Sequence, residues 1–269
     1  MLRALLLLCF ALICTGPALA CGPETQCRIG DRHYYIAFPP GYDSTTPIPA
    51  ALFAHGLQGS ALGIIRNPRL LAVAAEQNVA LIAVKSKTDD WSIPGSPEER
   101  ADRGTEELAY IDAVLADATR RFNIDPKRIV MSGASVGGMF TWYLACTRSD
   151  VFAAFVPMSG TFWDPLPRRC DKPVANIMHF HGDNDRTVPL QGRVARGKQQ
   201  GSVTDAFALY SRHGRFQEPR QTRIGDMTCN IAQNRSGKLL SFCLYPGRHA
   251  FRSGNLGIAL RMLKDAGHL

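Results

Sequence analysis

The chain has 269 residues, of which 45% are hydrophobic and 20% charged, and its formal net charge is +8. That balance is ordinary for a soluble globular protein with a real core, and it excludes a disordered or fibrous chain. The 31 Lys and Arg are scattered in short pairs such as Arg120-Arg121 and Arg168-Arg169, so no basic stripe marks a nucleic-acid partner and none is expected.

Residues 1–20 read as a secretory signal peptide. Arg3 precedes the apolar run 4–14, Pro17 breaks it, and Ala18-Leu19-Ala20 supplies the small residues that a signal peptidase reads. The run is too short and wrongly flanked for a spanning helix. Cleavage would remove Arg3 and lower the charge from +8 to +7. Cys21 follows the cleavage point, so a lipidated cysteine is the competing reading. Ala18 stands where lipoprotein signals usually carry Leu. A secreted or periplasmic protein is expected, with no stable membrane partner unless Cys21 is lipidated. The absence of low-complexity tracts, charge blocks and internal repeats predicts a single domain over 21–269.

Along that domain, residues 33–38 alternate and predict an antiparallel edge hairpin. The apolar runs 50–55, 79–84, 128–133, 153–158 and 176–181 predict buried parallel strands, and 239–245 resembles them. Helical patterns lie between, at 70–77, 106–122, 136–146, 203–213 and 256–265. In the second of these, Leu108, Ile111, Val114, Leu115, Ala118 and Phe122 share one face; Thr105 is its expected N-cap and Asn123 its expected end. Strand and helix alternate from residue 50 onward, so the fold class is α/β: a mostly parallel sheet with helices on both faces. Function in such sheets gathers past the carboxyl ends of the strands.

Six cysteines follow the signal: Cys21, Cys27, Cys146, Cys170, Cys229 and Cys243. An even count in an exported chain points to three disulfides. Fifteen pairings are possible; grouping along the chain favours Cys21–Cys27, Cys146–Cys170 and Cys229–Cys243. No CxxC spacing supports a zinc site.

Strand 128–133 runs into Gly133-Ala134-Ser135-Val136-Gly137 and then a helix. That context marks a nucleophile elbow, where a sharp turn lifts a serine oxygen above the sheet. The Val136 N–H opens the helix and faces a developing oxyanion. A nucleophilic Ser135 needs an acid and then a histidine downstream. Of the later histidines, His213 lies in a polar helix end and His268 beside the C-terminus. His249, between strand 239–245 and the last helix, is the expected base.

The acid is expected in His179-Phe180-His181-Gly182-Asp183-Asn184-Asp185. His179 and His181 share one strand face and read as buried polar residues. Both Asp183 and Asp185 stand in the loop that follows. The same run resembles a metallo-hydrolase ligand signature, but Asn184 stands where a further histidine would be needed. No metal and no organic cofactor is expected.

These motifs resemble secreted α/β-hydrolase serine esterases, in particular the polyhydroxybutyrate depolymerase-like and feruloyl esterase-like group. The resemblance rests on residues 32–43, 54–61, 121–146, 180–189 and 245–251. It implies Asp185 as the acid, with Asp183 on a variable position and as the fallback. It implies His249 as base, although Pro246-Gly247-Arg248 before it is less glycine-rich than the family's pattern. It places His55-Gly56 at the family's early turn, so that the Leu57 N–H would be the second oxyanion donor. Cysteine counterparts support Cys146–Cys170. The implied activity is hydrolysis of carboxylic esters through an acyl-enzyme, on a small-molecule or oligomeric ester. No linker or surface-binding domain is visible, so a soluble or short-chain ester is expected over a crystalline polymer. Trp91 and Trp163 are candidates for pocket lining or core. The rival functions are a prolyl-oligopeptidase-like peptidase and a non-catalytic binding protein of the same fold.

Overall fold

Runs of five to seven apolar residues form strands here because both of their faces are covered. The computed structural model describes residues 21–269, and the expected signal peptide lies outside the described residues. The chain begins with β1 (Cys27–Ile29), β2 (Arg32–Ala37) and β3 (Ile48–Ala54). Next come α1 (Ala61–Ile65), α2 (Pro68–Glu76), β4 (Ala80–Val84) and α3 (Thr105–Phe122). The centre of the sheet is completed by β5 (Ile124–Ala134), α4 (Val136–Thr147), β6 (Ala154–Met158) and β7 (Asn176–Gly182). A small ribbon, β8 (Val194–Ala195) with β9 (Lys198–Gln199), precedes α5 (Val203–Gly214). The chain finishes with β10 (Arg220–Ile224), β11 (Met227–Gln233), β12 (Leu239–Tyr245) and α6 (Gly254–Asp265).

Ten strands make one sheet in the order β1-β2-β4-β3-β5-β6-β7-β12-β11-β10. The six from β4 to β12 are parallel, and antiparallel hairpins flank them on each side. Alternate residues of the buried strands feed two separate cores. Leu52, Ile82, Met131, Phe155 and Ile177 pack with α3, α4 and α5. Phe53, Leu81, Val130, Val156 and Met178 pack with α1, α2 and α6. The fold is that of an α/β-hydrolase, a mostly parallel sheet with helices on both faces. Because β5, β7 and β12 are parallel, the loops after them open at the same end.

Three disulfides join Cys21–Cys27, Cys146–Cys170 and Cys229–Cys243. The first occupies the thiol that a lipid anchor at Cys21 would need. The third spans directly opposed residues of β11 and β12.

Some boundaries differ from expectation. Gly104, with φ 87°, precedes α3 in place of the expected cap Thr105, which is the first helical residue. Its neighbour Asp102 does the capping, accepting the Glu106 N–H at 2.8 Å. Asn123 does end the helix, in the left-handed conformation. The hairpin β10–β11 has no counterpart among the expected strands. Its sequence is polar, and β10 is exposed along four of its five residues, so no apolar run announced it.

Candidate active site

Ser135 stands between β5 and α4 with φ 58° and ψ −122°, a strained conformation for a residue with a side chain. Backbone bonds hold it there: its N–H donates to the Met158 carbonyl at 2.9 Å, and its carbonyl accepts from Met139 N–H at 2.9 Å. The turn is possible only because the residues two before and two after Ser135 lack side chains. A Cβ at Gly133 would lie 2.3 Å from the Gly137 carbonyl oxygen, and one at Gly137 would lie 2.2 Å from that of Ala54. Hence the Gly-x-Ser-x-Gly spacing is a packing requirement between β3, β5 and α4.

The turn after β3 lies against this elbow. A Cβ at Gly56 would be 3.7 Å from the Ser135 Cβ. His55 is fully buried, and its ring holds the turn from inside. Nδ1–H donates to the Gly56 carbonyl at 2.7 Å, while Nε2 accepts from the Ser86 N–H at 3.2 Å. Burial lowers its pKa to about 4, so the ring is neutral at neutral pH. The Trp91 indole donates to the His55 carbonyl at 3.0 Å, and Trp91 stacks on Phe140. With the Gly56 carbonyl turned inward, the next N–H, on Leu57, has no backbone partner among the described residues, and neither has Val136 N–H at the start of α4. Sequence reasoning pointed to His55 only as part of a turn. Its structural role rests on Ser86, from beyond β4, which no local pattern reveals.

The loop after β7 gives its two aspartates different partners. Asp185 Oδ2 accepts from His249 Nδ1 at 2.7 Å, and its Oδ1 accepts the backbone N–H groups of Thr187 and Val188 at 2.8 and 2.9 Å. Burial by itself would raise its pKa. The donors His181, His249 and Val188 N–H override that and hold the carboxylate ionised, well below the ordinary aspartate value. Asp183 does something else: it is exposed and accepts the Gly247 N–H at 3.0 Å, latching the loop that carries His249. Tyr245 pins the same loop through a 2.8 Å bond to the Ala250 carbonyl, a contribution sequence reasoning missed. His249 spends Nδ1 on Asp185, which leaves Nε2 for the cleft; Ser135 and His249 are not hydrogen-bonded to each other among the described residues.

His213 and His268 bond to backbone carbonyls of Lys172 and Gly237, away from this loop. His179 and His181 bond to each other at 2.9 Å and do not converge with Asp183. Among the described residues no group of three or more His, Cys, Asp or Glu is placed to hold a metal ion. Trp91 and Trp163 are both buried. Trp163 also forms part of the wall of a cavity of about 320 Å³ with Phe162, Tyr143, Arg103 and Arg169.

A family model described as "Putative esterase" matches residues 28–216, which spans the elbow and the acid loop. The chain belongs to this esterase family. Feruloyl esterase C of Emericella nidulans is 26% identical over 175 residues, covering 62% of this chain and 60% of that one. Feruloyl esterase B of Piromyces equi is 25% identical over 243 residues, covering 84% of this chain and 44% of that one. The chain therefore spans less than two thirds of the length of either relative. Among solved structures, an acetyl xylan esterase from Aspergillus awamori superposes with a TM-score of 0.65 at 14% identity, over 91% of this chain and 99% of that one. A Bacillus cereus carboxylesterase gives 0.57 at 13% identity, over 87% and 94%. Both likenesses support the α/β-hydrolase fold.

Proposed function

We propose that this chain is a secreted serine carboxylesterase of the feruloyl esterase type, with Ser135 as nucleophile, His249 as base and Asp185 as the orienting acid. The observation that carries this reading is the strained Ser135 elbow standing at the same sheet end as a bonded Asp185–His249 pair. His249 Nε2 takes the proton as Ser135 Oγ attacks the ester carbonyl. Asp185 keeps the other ring nitrogen protonated and stabilises the imidazolium that forms. The free N–H groups of Leu57 and Val136 receive the tetrahedral oxyanion, an interaction worth about a hundred- to thousandfold per donor. The alcohol leaves with the proton from His249, and water then releases the acid by the same steps in reverse. No cofactor enters this chemistry. Three disulfides fit an oxidising compartment outside the cytoplasm.

The relatives' names direct the substrate test to feruloyl and acetyl esters. Purified protein is assayed on p-nitrophenyl acetate, a methyl hydroxycinnamate and a prolyl amide, with fluorophosphonate labelling alongside. Ester turnover is expected, with labelling at Ser135 and a loss of about a millionfold in kcat for Ser135→Ala. Amide turnover exceeding ester turnover would favour a peptidase, and an unlabelled, inactive protein would identify a binding module.

A further inference from the structure

Behind Asp185 a chain of buried polar side chains crosses the core, and the mechanism above makes no use of it. Trp142 on α4 donates its indole N–H to His179 Nδ1 at 3.1 Å. His179 Nε2 meets His181 Nδ1 at 2.9 Å. His181 Nε2 meets the Val188 carbonyl at 2.8 Å and lies 3.3 Å from Asp185 Oδ2. Trp142, His179 and His181 are completely buried. Buried polar side chains cost stability unless every one is satisfied, and an apolar core would have been simpler.

The direction of this chain is fixed at both ends. An indole nitrogen only donates and a carbonyl only accepts. His179 Nδ1 therefore carries no proton, which puts the proton on its Nε2. That proton goes to His181 Nδ1, which forces the His181 proton onto Nε2, facing Val188 and Asp185. Adding a proton anywhere along it would set two N–H groups against each other. Burial, and then the neighbouring His181, push the His179 pKa well below its ordinary value, in agreement with that geometry.

We infer that Trp142, His179 and His181 form a one-way hydrogen-bond relay that positions Asp185 by always presenting an N–H to it, making His181 a positioning residue for the acid. Val188 closes the clamp, since its N–H holds Asp185 Oδ1 while its carbonyl shares the His181 Nε2–H with Asp185 Oδ2. The groups facing the acid are His249 from the loop after β12, His181 from β7 and, at longer range, Tyr245 at the end of β12. His179 is otherwise enclosed by Phe207 of α5 and Phe242 of β12, neither of them charged. The relay rests on the proposed triad. Its His181 N–H draws charge from the oxygen that His249 shares, so removing it leaves that oxygen more negative and favours the imidazolium.

The test combines kinetics with ¹⁵N NMR of the full chain. His181→Leu is expected to lower kcat about tenfold to a hundredfold and to move the acid limb of kcat/KM to higher pH. His181→Gln, whose side-chain amide keeps a donor at the same reach, should restore most of the turnover and the limb. In the wild-type spectrum both His179 and His181 should be Nε2–H tautomers. An Nδ1–H tautomer at either ring, or wild-type turnover and limb in His181→Leu, overturns the relay. The NMR result decides the matter even if His181→Leu fails to fold. Undiminished turnover in Ser135→Ala overturns Ser135 as nucleophile and the relay's role with it, whereas loss there beside an unaffected His181→Leu overturns the relay alone.

Discussion

At the elbow, Ser135 is placed by backbone packed against backbone; two strands away, Asp185 is placed by hydrogen-bond donors. The first arrangement is steric. Gly133 and Gly137 leave no room for a methyl group, and the serine is strained into place by packing that the whole sheet supports. The second is electrostatic. Asp185 sits in a loop, and what fixes it is a set of donors: two backbone N–H groups, His249 and His181. A steric device tolerates change in charge but not in volume. An electrostatic one tolerates change in volume but not in donor pattern.

That contrast predicts different failures. Asp185→Asn keeps the shape and alters the donors, so the protein should fold normally while kcat falls by about four orders of magnitude; retention of more than a tenth of wild-type turnover would show that the acid lies elsewhere. Gly137→Ala adds only a methyl group, yet it meets the Ala54 carbonyl. A loss of about 3 kcal/mol in urea unfolding is expected, since rigid backbone lies on the other side. An unchanged midpoint would mean that the elbow relaxes cheaply. Next in size is the pH dependence of stability. His55 beside the elbow and His179 behind the acid are both buried neutral, with folded pKa values below the unfolded value of about 6.5. Below that pH the unfolded chain takes up protons that the folded one refuses. Their contribution is therefore complete above about pH 6.5 and is lost as pH falls, with His55 alone accounting for about 3 kcal/mol by pH 4. Asp185 is shifted downward as an acid, so its contribution persists until pH falls below about 4 and is lost only beyond that. Urea midpoints taken from neutral to acid pH should show the two windows in that order, and His55→Asn should flatten the first. The smallest effect is expected for Asp183→Asn. It loosens one bond to the His249 loop, and kcat should drop by less than about tenfold. A larger drop than that of Asp185→Asn would exchange their roles.

The same distinction explains what was readable from the sequence. The elbow announces itself because its requirement is local: a strand, small residues around Ser135, and a helix. The candidate acid and base were legible as loop residues after apolar runs, and the pair within 183–185 was separated only by the family's spacing. The relay was not legible. Trp142 and His179 are far apart in the chain and meet only when α4 packs over β5 and β6 and its indole reaches the adjoining β7, and a histidine on a buried strand face reads first as core. Hairpin β10–β11 did carry a signal, the turn Gly225-Asp226 with Gly225 at φ 61°. Its charged residues masked the alternation. Thr105 misled because its hydroxyl suits a cap, whereas Asp102 reaches the free N–H first.

The exposed β10 has a consequence for the molecule in a crowded, concentrated setting. A sheet this wide has two outer rims, each able to recruit a further strand from another molecule and so begin aggregation. One rim is β1, three residues long and tethered by Cys21–Cys27. The other is β10, whose Arg220 and Arg223 stand in solvent. A neighbouring strand docking there would have to strip water from two guanidinium groups. Each rim thus discourages growth of the sheet by its own means, brevity and a tether on one side, charge on the other.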